Sequence, residues 1–395
     1  MIPRDMTPEL RAAAREYPVV TLLGPRQSGK TTLVRHVFAD KPYRSLEDPD
    51  VRAFAQEDAR GFLATLPDGG ILDEVQRAPE VLSYVQGIVD RDARPGRFIV
   101  TGSHQPAVHE AVSQSLAGRT AVLTLLPLSI AELGHYERTW SPFERIVLGA
   151  YPRLHEHDLD AQRFFNGYIQ TYVERDVRAL IQLKDLRTFQ RFLTLLAGRV
   201  GQLLNYSSLS NDVGVSSTTI KSWISVLSAS FVVFELPPYF ANVGKRVVKS
   251  PKLYFTDTGL AAHLIGLRTA AQAARDPLRG GLFENLIVLD VLKQRLNQGH
   301  RPELYFYRDA RGHEVDLIVR HGRRLVPIEI KSAATFTPQF TESIVRLQAV
   351  LGEQVAPGAV VYTGAEDFTF QGTRVLNPLQ GEGTAELQAL VLAGG

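Results

Sequence analysis

The chain has 395 residues, of which 44% are hydrophobic and 22% are charged, and its formal net charge is +2. This length and composition predict two or three globular domains with real cores and exclude extensive disorder. The absence of cysteine excludes disulfides and cysteine-ligated zinc, and the small net charge means that any nucleic-acid-binding surface must come from local basic patches.

The N-terminal segment "MIPRDMTPELRAAAREYP" is charged and helix-like, and it has no apolar signal core. The most apolar stretch, residues 121–131, contains Pro127 and is too short to cross a bilayer. We therefore expect a cytoplasmic protein without a membrane partner.

A phosphate-binding loop is predicted between the first strand and the helix that follows it. The segment "GPRQSGKT" matches the pattern G-x-x-x-x-G-K-[ST] at every defined position. Glycines allow backbone N–H groups to surround phosphate oxygens, and the following helix presents its positive end to the same anion. Lys30 is expected to reach the β- and γ-phosphates and Thr31 to bind Mg²⁺; the alternative is a glycine turn that fits by chance. The predicted cofactors are ATP and Mg²⁺, and the predicted nucleotide-binding residues are Gly24, Pro25, Arg26, Gln27, Ser28, Gly29, Lys30, Thr31 and Thr32.

A second predicted strand, "GGILDEVQ", ends in two acids. Asp73 is the candidate carboxylate on the Mg²⁺ side, and Glu74 is the candidate base for the attacking water. The alternative is an ordinary surface Asp–Glu pair at a strand end.

A third predicted strand, "RFIVTGSHQ", ends in Thr101, Ser103 and His104. A polar side chain at this position is expected to orient water against the γ-phosphate, and Ser103 is the residue we select for that role. The alternative is that either hydroxyl caps a helix.

Arg119 follows a glycine at the start of the next apolar strand, in "SLAGRTAVLTL". An arginine there is well placed to act as a finger that stabilises the transition-state charge of ATP hydrolysis. The alternative is a solvated or salt-bridged arginine. Arg153 and Arg175 are weaker candidates and are predicted to be structural ion-pair partners.

From about residue 160 to 200 the pattern becomes helical, because aromatic and aliphatic residues from Phe164 to Val177 recur every three or four positions. Residues 201–255 then predict a winged helix-turn-helix with a tight turn at Gly214. Four apolar residues of its second helix are predicted to face inward: Ile220, Trp223, Ile224 and Leu227. Thr218, Thr219 and Lys221 remain exposed and suit contacts with a DNA backbone.

The segment "GKRVVKSPK" adds a local basic patch made of Lys245, Arg246, Lys249 and Lys252. Four neutralised phosphates would make DNA binding strongly dependent on salt. The alternatives are a solvated loop, or a winged helix that contacts a protein.

The C-terminal part combines acids and a lysine in a recognisable order. Glu284 lies on a predicted amphipathic helix, Asp316 on a strand, and Glu329 and Lys331 on the next strand as E-x-K. The acids are expected to hold Mg²⁺ and Lys331 to stabilise charge at a phosphodiester. This arrangement resembles the core of PD-(D/E)XK nucleases. The alternatives are an exposed ion pair, or a domain that clamps DNA without cutting it.

The whole chain resembles the bacterial and archaeal AAA-type ATPases that carry a C-terminal domain of unknown function with a nuclease-like core. The matching segments are GPRQSGKTT, ILDEVQ, TGSH, SLAGR, AYPRL, YIQTYVERDVR, ELPPY with KSPKLYFTDTGL, and FEN with EVDLIV and IEIKS. The resemblance implies ATP hydrolysis by a homo-oligomeric ring, with a hexamer as the candidate size. By analogy it assigns Lys30, Thr31, Asp73 and Glu74 to the nucleotide site and Arg119 to a finger in trans. His104 departs from the pattern, since asparagine is frequent there.

The expected fold class is α/β. The predicted domains are a P-loop ATPase domain with a parallel sheet (1–140), a helical connector (141–200), a winged helix-turn-helix (201–255) and a PD-(D/E)XK-like domain (256–395). The leading functional hypothesis is an ATPase that binds or remodels DNA, including branched DNA. The alternatives are an ATP-gated switch for a protein partner with a silent nuclease-like domain, and an active metal-dependent nuclease licensed by ATP.

Overall fold

The computed structural model describes most of the chain, namely residues 2–103, 112, 114–134, 140–177, 185–239 and 250–393. The backbone divides into two compact units. The first consists of residues 1–128, 229–231 and 296–300, and the second of the remaining residues. All four predicted domain boundaries stay predictions.

The first unit is an α/β structure. Its strands are β1 (Val19–Gly24), β2 (Tyr43–Ser45), β3 (Gly70–Asp73), β4 (Phe98–Ser103) and β5 (Thr120–Thr124). Its described helices are α1 (Thr7–Glu16), α2 (Lys30–Val37), α3 (Pro49–Glu57), α4 (Ala59–Ala64) and α5 (Val81–Val89), and a 3₁₀ turn covers Val75–Arg77.

These five strands form one parallel sheet in the order β2-β3-β4-β1-β5. Strand β4 therefore lies between the strand that leads into the glycine loop and the strand that ends in Asp73. Alternate residues of each strand pack on opposite faces: Val20 and Leu22 belong to one buried cluster with Leu33 of α2, and Val100 belongs to another with Phe62. Because parallel strands end at a common edge, the polar residues that follow β1, β3 and β4 are brought together there.

Beyond residue 128 the described helices are α6 (Ile130–Gly134), α7 (Pro142–Leu148), α8 (Pro152–Glu156), α9 (Ala161–Tyr168), α10 (Leu186–Ala197), α11 (Tyr206–Val213), α12 (Ser217–Ala229), α13 (Thr258–Leu264), α14 (Ala270–Arg275), α15 (Arg279–Asn297), α16 (Glu342–Leu351) and α17 (Gly383–Ala393). A π-helix covers Ile169–Val177, and 3₁₀ turns cover Pro338–Thr341 and Gly352–Gln354. No described helix has both the length and the apolar character that a membrane span requires.

The strands of the second unit form a hairpin and a larger sheet. They are β6 (Val233–Leu236), β7 (Lys252–Phe255), β8 (Leu304–Arg308), β9 (Glu314–His321), β10 (Arg324–Ile330), β11 (Ala359–Val361), β12 (Phe368–Phe370) and β13 (Thr373–Leu376). Strands β6 and β7 pair antiparallel, and the other six form a mixed sheet in the order β12-β13-β11-β10-β9-β8. The predicted α/β class and the parallel N-terminal sheet are confirmed, and the C-terminal sheet is mixed.

The predicted helix-turn-helix segment contains two helices joined at a glycine. Helix α11 ends at Gly214, which has φ 84°, a left-handed conformation that glycine adopts without strain. Helix α12 follows, and Ile220 and Leu227 on its inner face are fully buried, as the sequence predicts. The antiparallel β6–β7 hairpin follows the two helices.

The helical pattern predicted from about residue 160 to 200 changes its geometry at Tyr168. Helix α9 ends there and the chain continues as a π-helix. The hydroxyl of Thr171 donates to the carbonyl oxygen of Gly167 at 2.6 Å, and such a side-chain bond competes with the backbone ladder of an α-helix. The spacing of apolar residues did not reveal this local competition.

Candidate functional site

The glycine loop joins β1 to α2 and is fitted closely to its surroundings. Gly24 has φ 152°, and a Cβ atom there would lie 2.1 Å from the carbonyl oxygen of Leu125. Gln27 and Gly29 also have positive φ angles, 63° and 92°. Only a loop with glycine at the tightest position follows this path.

The side chain of Lys30 lies over this loop. Its Nζ donates to the carbonyl oxygens of Gly24 and Pro25 at 3.0 and 2.8 Å, and the side chain is buried. Burial lowers the pKa of Lys30 to about 8, although the nearby carboxylates of Glu74 and Asp73 act in the opposite direction. The lysine is thus held at the loop by weak neutral acceptors, and an anion there would stabilise its charged form.

Three hydroxyl groups converge on Asp73. Thr31 Oγ1 lies 3.0 Å from both carboxylate oxygens, Tyr43 donates to Oδ2 at 2.7 Å, and Thr101 donates to Oδ1. Asp73 is buried at the end of β3. Burial and the hydrogen bond to Asp73 raise the pKa of Tyr43 above its ordinary value, so Tyr43 stays a donor. The structure therefore brings Thr31, Asp73 and Thr101 together, and it adds Tyr43, which the sequence did not indicate.

Glu74 lies next to this group on a strained backbone. Its φ angle is 58°, a conformation that non-glycine residues adopt rarely, and its backbone N–H donates to Thr101 Oγ1 at 3.3 Å. The amide of Gln76 donates both to the Glu74 carboxylate and to Ser103 Oγ, the latter at 2.8 Å. Ser103 is buried and thus positions Gln76, and Gln76 in turn orients Glu74. The sequence pattern did not indicate Gln76.

The remaining predicted residues of the loop lie around this centre. Arg26 is half-buried with its guanidinium 3.9 Å from Glu47, Gln27 is exposed, and Thr32 is exposed on α2. His104 lies outside the described residues.

The residues present fit a nucleoside triphosphate with Mg²⁺. The N–H groups of Gln27 and Gly29 donate to no acceptor in the described part of the chain, so they are available to an anion at the start of α2. The Thr31 hydroxyl and the Asp73 carboxylate form an oxygen donor set of the kind that Mg²⁺ prefers. Bound Mg²⁺ would neutralise phosphate charge; the chain's own residues orient the anion and a base.

Arg4, which sequence analysis also missed, holds the loop from behind. Its buried guanidinium donates at 2.7 Å to the carbonyl oxygens of Ser28 and Leu126. Because the C=O and the N–H of a trans peptide point in opposite directions, the bond to Ser28 directs the N–H of Gly29 away from Arg4. Arg4 is therefore a candidate positioning residue for the phosphate site.

Replacing Arg4 with glutamine is expected to weaken ATP binding about tenfold, which corresponds to ~1.4 kcal/mol. The reason is that the Ser28–Gly29 peptide would lose the donor that orients it. Equilibrium binding of a fluorescent ATP analogue measures the change, and Arg15→Gln, an exposed position on α1, is the matched control. If affinity stays at the wild-type value while the melting temperature falls, Arg4 supports only the fold.

Arg119 pairs with an acid of its own chain. Its guanidinium contacts both carboxylate oxygens of Asp90, with Nη2 at 3.1 Å from Oδ2. This is the salt-bridged alternative noted above, and the role of Arg119 towards a second subunit stays a prediction. Arg153 is exposed on α8 and forms no ion pair with any described residue, so its ion-pair role stays a prediction.

The predicted DNA-contacting residues of α12 are partly exposed. Thr218 and Lys221 are exposed, and Lys221 Nζ lies 5.3 Å from the ring centroid of Tyr206. Thr219 is half-buried and its backbone N–H donates to Ser216, which caps the helix. Lys245, Arg246 and Lys249 lie outside the described residues.

The C-terminal acids and lysine that the sequence singled out do lie together. Lys331 contacts Glu329, and its Nζ is 3.4 Å from Asp316 Oδ2. Asp316 Oδ2 also accepts the backbone N–H of Ile330 at 2.9 Å, and Ser343 donates to Glu329 at 2.7 Å. The E-x-K pair is therefore a part of a mostly buried polar cluster rather than an exposed ion pair.

Lys252 corrects the predicted basic patch. The sequence assigned it to an exposed surface, but its side chain is only 4% exposed and forms ion pairs with Glu284 at 2.7 Å and Glu314 at 2.5 Å. Strand β7 directs the Lys252 side chain towards the acid cluster, so this lysine is not available to DNA. Glu314 was missed because the sequence pattern pointed to Asp316 alone on that strand.

Burial and the neighbouring Asp316 carboxylate raise the pKa of Glu284 to about 7, and Lys252 opposes this shift. The same two causes raise the pKa of Glu329 to about 7, and Lys331 opposes the shift there. Among the residues that the structure describes, no group of three or more His, Cys, Asp or Glu side chains is arranged to hold a metal ion.

Comparisons with known proteins divide the chain into three matched regions. The family described as "AAA domain" matches residues 16–134, and two families described as domains of unknown function match the rest, DUF8612 at residues 140–271 and DUF4143 at residues 279–380.

Relatives match along nearly the whole chain. The uncharacterized protein Rv2008c of Mycobacterium tuberculosis and the uncharacterized protein Mb2031c of Mycobacterium bovis are each 34% identical over 383 residues, covering 95% of this chain and 83% of that protein. Among solved structures, the Walker-type ATPase PABY2304 of Pyrococcus abyssi matches with 15% identity and a TM-score of 0.38, over 67% of this chain and 96% of that one.

Proposed function

Since the chain belongs to the family of AAA-type P-loop ATPases that carry a C-terminal domain of unknown function, DUF4143, we propose that it uses ATP hydrolysis to bind and remodel DNA. The observation that carries the ATPase half is the convergence of Thr31, Thr101 and Tyr43 on Asp73 beside the buried Lys30. Lys30 binds the phosphates, Thr31 and Asp73 hold Mg²⁺, and Glu74 accepts the proton of the attacking water. The protein works as a homo-oligomer in which Arg119 approaches the nucleotide of a neighbouring subunit.

The DNA half of the proposal is supported by α12 and the residues that follow it. Helix α12 exposes Thr218 and Lys221 while its opposite face is buried. In the chain, Lys245, Arg246 and Lys249 lie between the two strands of the hairpin. Hydroxyl and cationic side chains of this kind contact phosphate oxygens rather than base edges, so the proposed binding depends on DNA shape and charge.

We expect the purified protein to release phosphate from ATP with Mg²⁺ faster when single-stranded, duplex or junction DNA is added. The triple change Lys245→Glu, Arg246→Glu and Lys249→Glu is expected to weaken DNA binding by at least about 100-fold, because it replaces phosphate attraction with repulsion. Lys221→Glu alone is expected to weaken binding about tenfold and to lower the salt slope by about one. Turnover without DNA should stay at the wild-type value in both variants.

The matched control for Lys221→Glu is Arg191→Glu, which makes the same charge change at an exposed position of α10. It is expected to leave DNA binding unchanged. The DNA proposal fails if no DNA binding occurs at low salt and if turnover is the same with every DNA structure.

One observation favours a second candidate, an ATP-gated switch that binds a protein partner. The acids of the C-terminal cluster are engaged by Lys252 and Lys331, an arrangement that suits a silent scaffold as well as a DNA clamp. In that case the triple variant would behave like the wild type in binding its partner, and DNA would not stimulate turnover.

A further inference from the structure

The ammonium group of Lys252 lies where three carboxylates converge. Its Nζ is 2.7 Å from Glu284 Oε1, 2.5 Å from Glu314 Oε1 and 3.8 Å from Asp316 Oδ1. One acid comes from α15 and two come from β9, so the lysine neutralises side chains from two different elements. A buried carboxylate without such a partner would carry a large desolvation penalty.

The backbone of Lys252 pairs with a neighbouring segment on each side, which fixes its position. It pairs with Leu236 of β6 and forms an isolated bridge with Leu203, and its Nζ lies 5.7 Å from the centroid of the Phe306 ring. Tyr254 is two residues further along the same strand and donates to Glu284 Oε1 at 2.5 Å. Successive side chains of a strand alternate faces, so β7 delivers both donors to the same acid.

We propose that the Lys252 ammonium is the resident cation of this cluster, and that the domain holds Glu284, Glu314 and Asp316 without metal. A metal ion among the same oxygens would have to displace the ammonium, since two cations there repel each other. The displaced ammonium would be buried without its partners, which is strongly unfavourable.

Two further carboxylate oxygens have close protein neighbours. Asp316 Oδ2 accepts from Ile330 and lies 3.4 Å from Lys331 Nζ. A Cβ atom at Gly201 would lie 3.3 Å from Glu284 Oε2, so backbone covers that side of the acid. Protein groups therefore occupy part of the space around these oxygens, while the side chain of Glu314 stays 24% exposed.

Two consequences follow for the full-length protein. The wild type is expected to show no metal-dependent cleavage of DNA by this domain. Replacing Lys252 with alanine removes that cation. Glu284, Glu314 and Asp316 are not arranged as a metal site while Lys252 is present, but their mutual repulsion is then expected to draw in a divalent cation, around which they rearrange.

The test uses Mn²⁺ as the probe, with binding counted by the electron paramagnetic resonance of free Mn²⁺ in nucleotide-free, full-length protein. Wild type and Asp316→Asn are expected to bind the same amount of Mn²⁺. Lys252→Ala is expected to bind a further ion, and the double variant Lys252→Ala/Asp316→Asn is expected to lose it. The melting temperature of Lys252→Ala should rise by about 5 °C or more at a Mn²⁺ concentration of about 100 times the dissociation constant.

Lys221→Ala, which removes an exposed lysine of the same unit, is the control and should gain no Mn²⁺. The proposal is overturned if wild type binds a Mn²⁺ ion that Asp316→Asn loses, or if Lys252→Ala gains none. Should Lys252→Ala fail to fold, the wild type and Asp316→Asn still decide: equal binding supports the proposal and unequal binding refutes it.

Discussion

Replacement of Lys30 by alanine is expected to lower the rate of Mg²⁺-dependent ATP hydrolysis by about 1,000-fold or more. Lys30 is the buried cation of the loop, and its Nζ already lies against the carbonyl oxygens of Gly24 and Pro25. Burial has lowered the pKa of this amine to about 8, so a phosphate that restores its full charge binds it strongly. Phosphate release under saturating ATP measures the effect, and the affinity for ATP should fall as well.

The matched control is Lys41→Ala, because Lys41 is the other lysine among residues 1–128. Its amine lies outside the loop, and we expect the control to hydrolyse ATP at the wild-type rate. Turnover that survives in Lys30→Ala would mean that the glycine loop is not the phosphate site.

The parts of the phosphate site that are contiguous in the chain, or that lie at strand ends, could be predicted from the sequence. The loop from Gly24 to Thr31 is contiguous, and its spacing alone identifies Lys30 and Thr31. Asp73 and Thr101 could be predicted because each lies near the carboxyl end of an apolar strand, and parallel strands bring these ends to one edge of the sheet. The confirmed order of the sheet, with β4 between β1 and β3, is the physical reason why these residues meet.

The residues that were missed act through tertiary contacts without a local pattern. Arg4 is separated from Ser28 by 24 positions, and nothing near it indicates a buried guanidinium. Tyr43 lies on β2, where it pairs with Ile71, and only that register carries its hydroxyl to Asp73. Gln76 was the easiest of the three to predict, since it follows Glu74 by two positions on the same turn.

Lys252 was wrongly assigned to the exposed basic patch. That prediction considered the number of neighbouring basic residues and not the alternation of side chains along a strand. In "SPKLYF" the lysine opens a short buried strand, and alternation places it on the same face as Tyr254. A lysine and a tyrosine on the same face of a buried strand are two hydrogen-bond donors, and together they indicate a buried carboxylate next to that face. The run of basic residues before it suggested a surface instead.

Replacing Glu74 with glutamine is expected to lower ATP hydrolysis by about 100- to 10,000-fold while ATP binding is retained, because general-base catalysis contributes on that scale. The amide keeps the size of the side chain and its contact with Gln76 but cannot accept a proton. Lys30, Thr31 and Asp73 remain in place to hold the nucleotide. Single-turnover hydrolysis and equilibrium ATP binding, measured on the same preparation, separate this outcome from the loss of affinity expected for Lys30→Ala.

Glu80→Gln makes the same chemical change at an exposed position before α5 and should leave both measurements unchanged. Gln76→Ala tests the positioning argument, because it removes the donor that joins Glu74 to Ser103. It is expected to lower turnover about tenfold without abolishing it, since the base remains present but loses its orientation. Wild-type turnover in Glu74→Gln would exclude Glu74 as the base, and the strained backbone at that residue would then serve only to direct the chain away from Asp73.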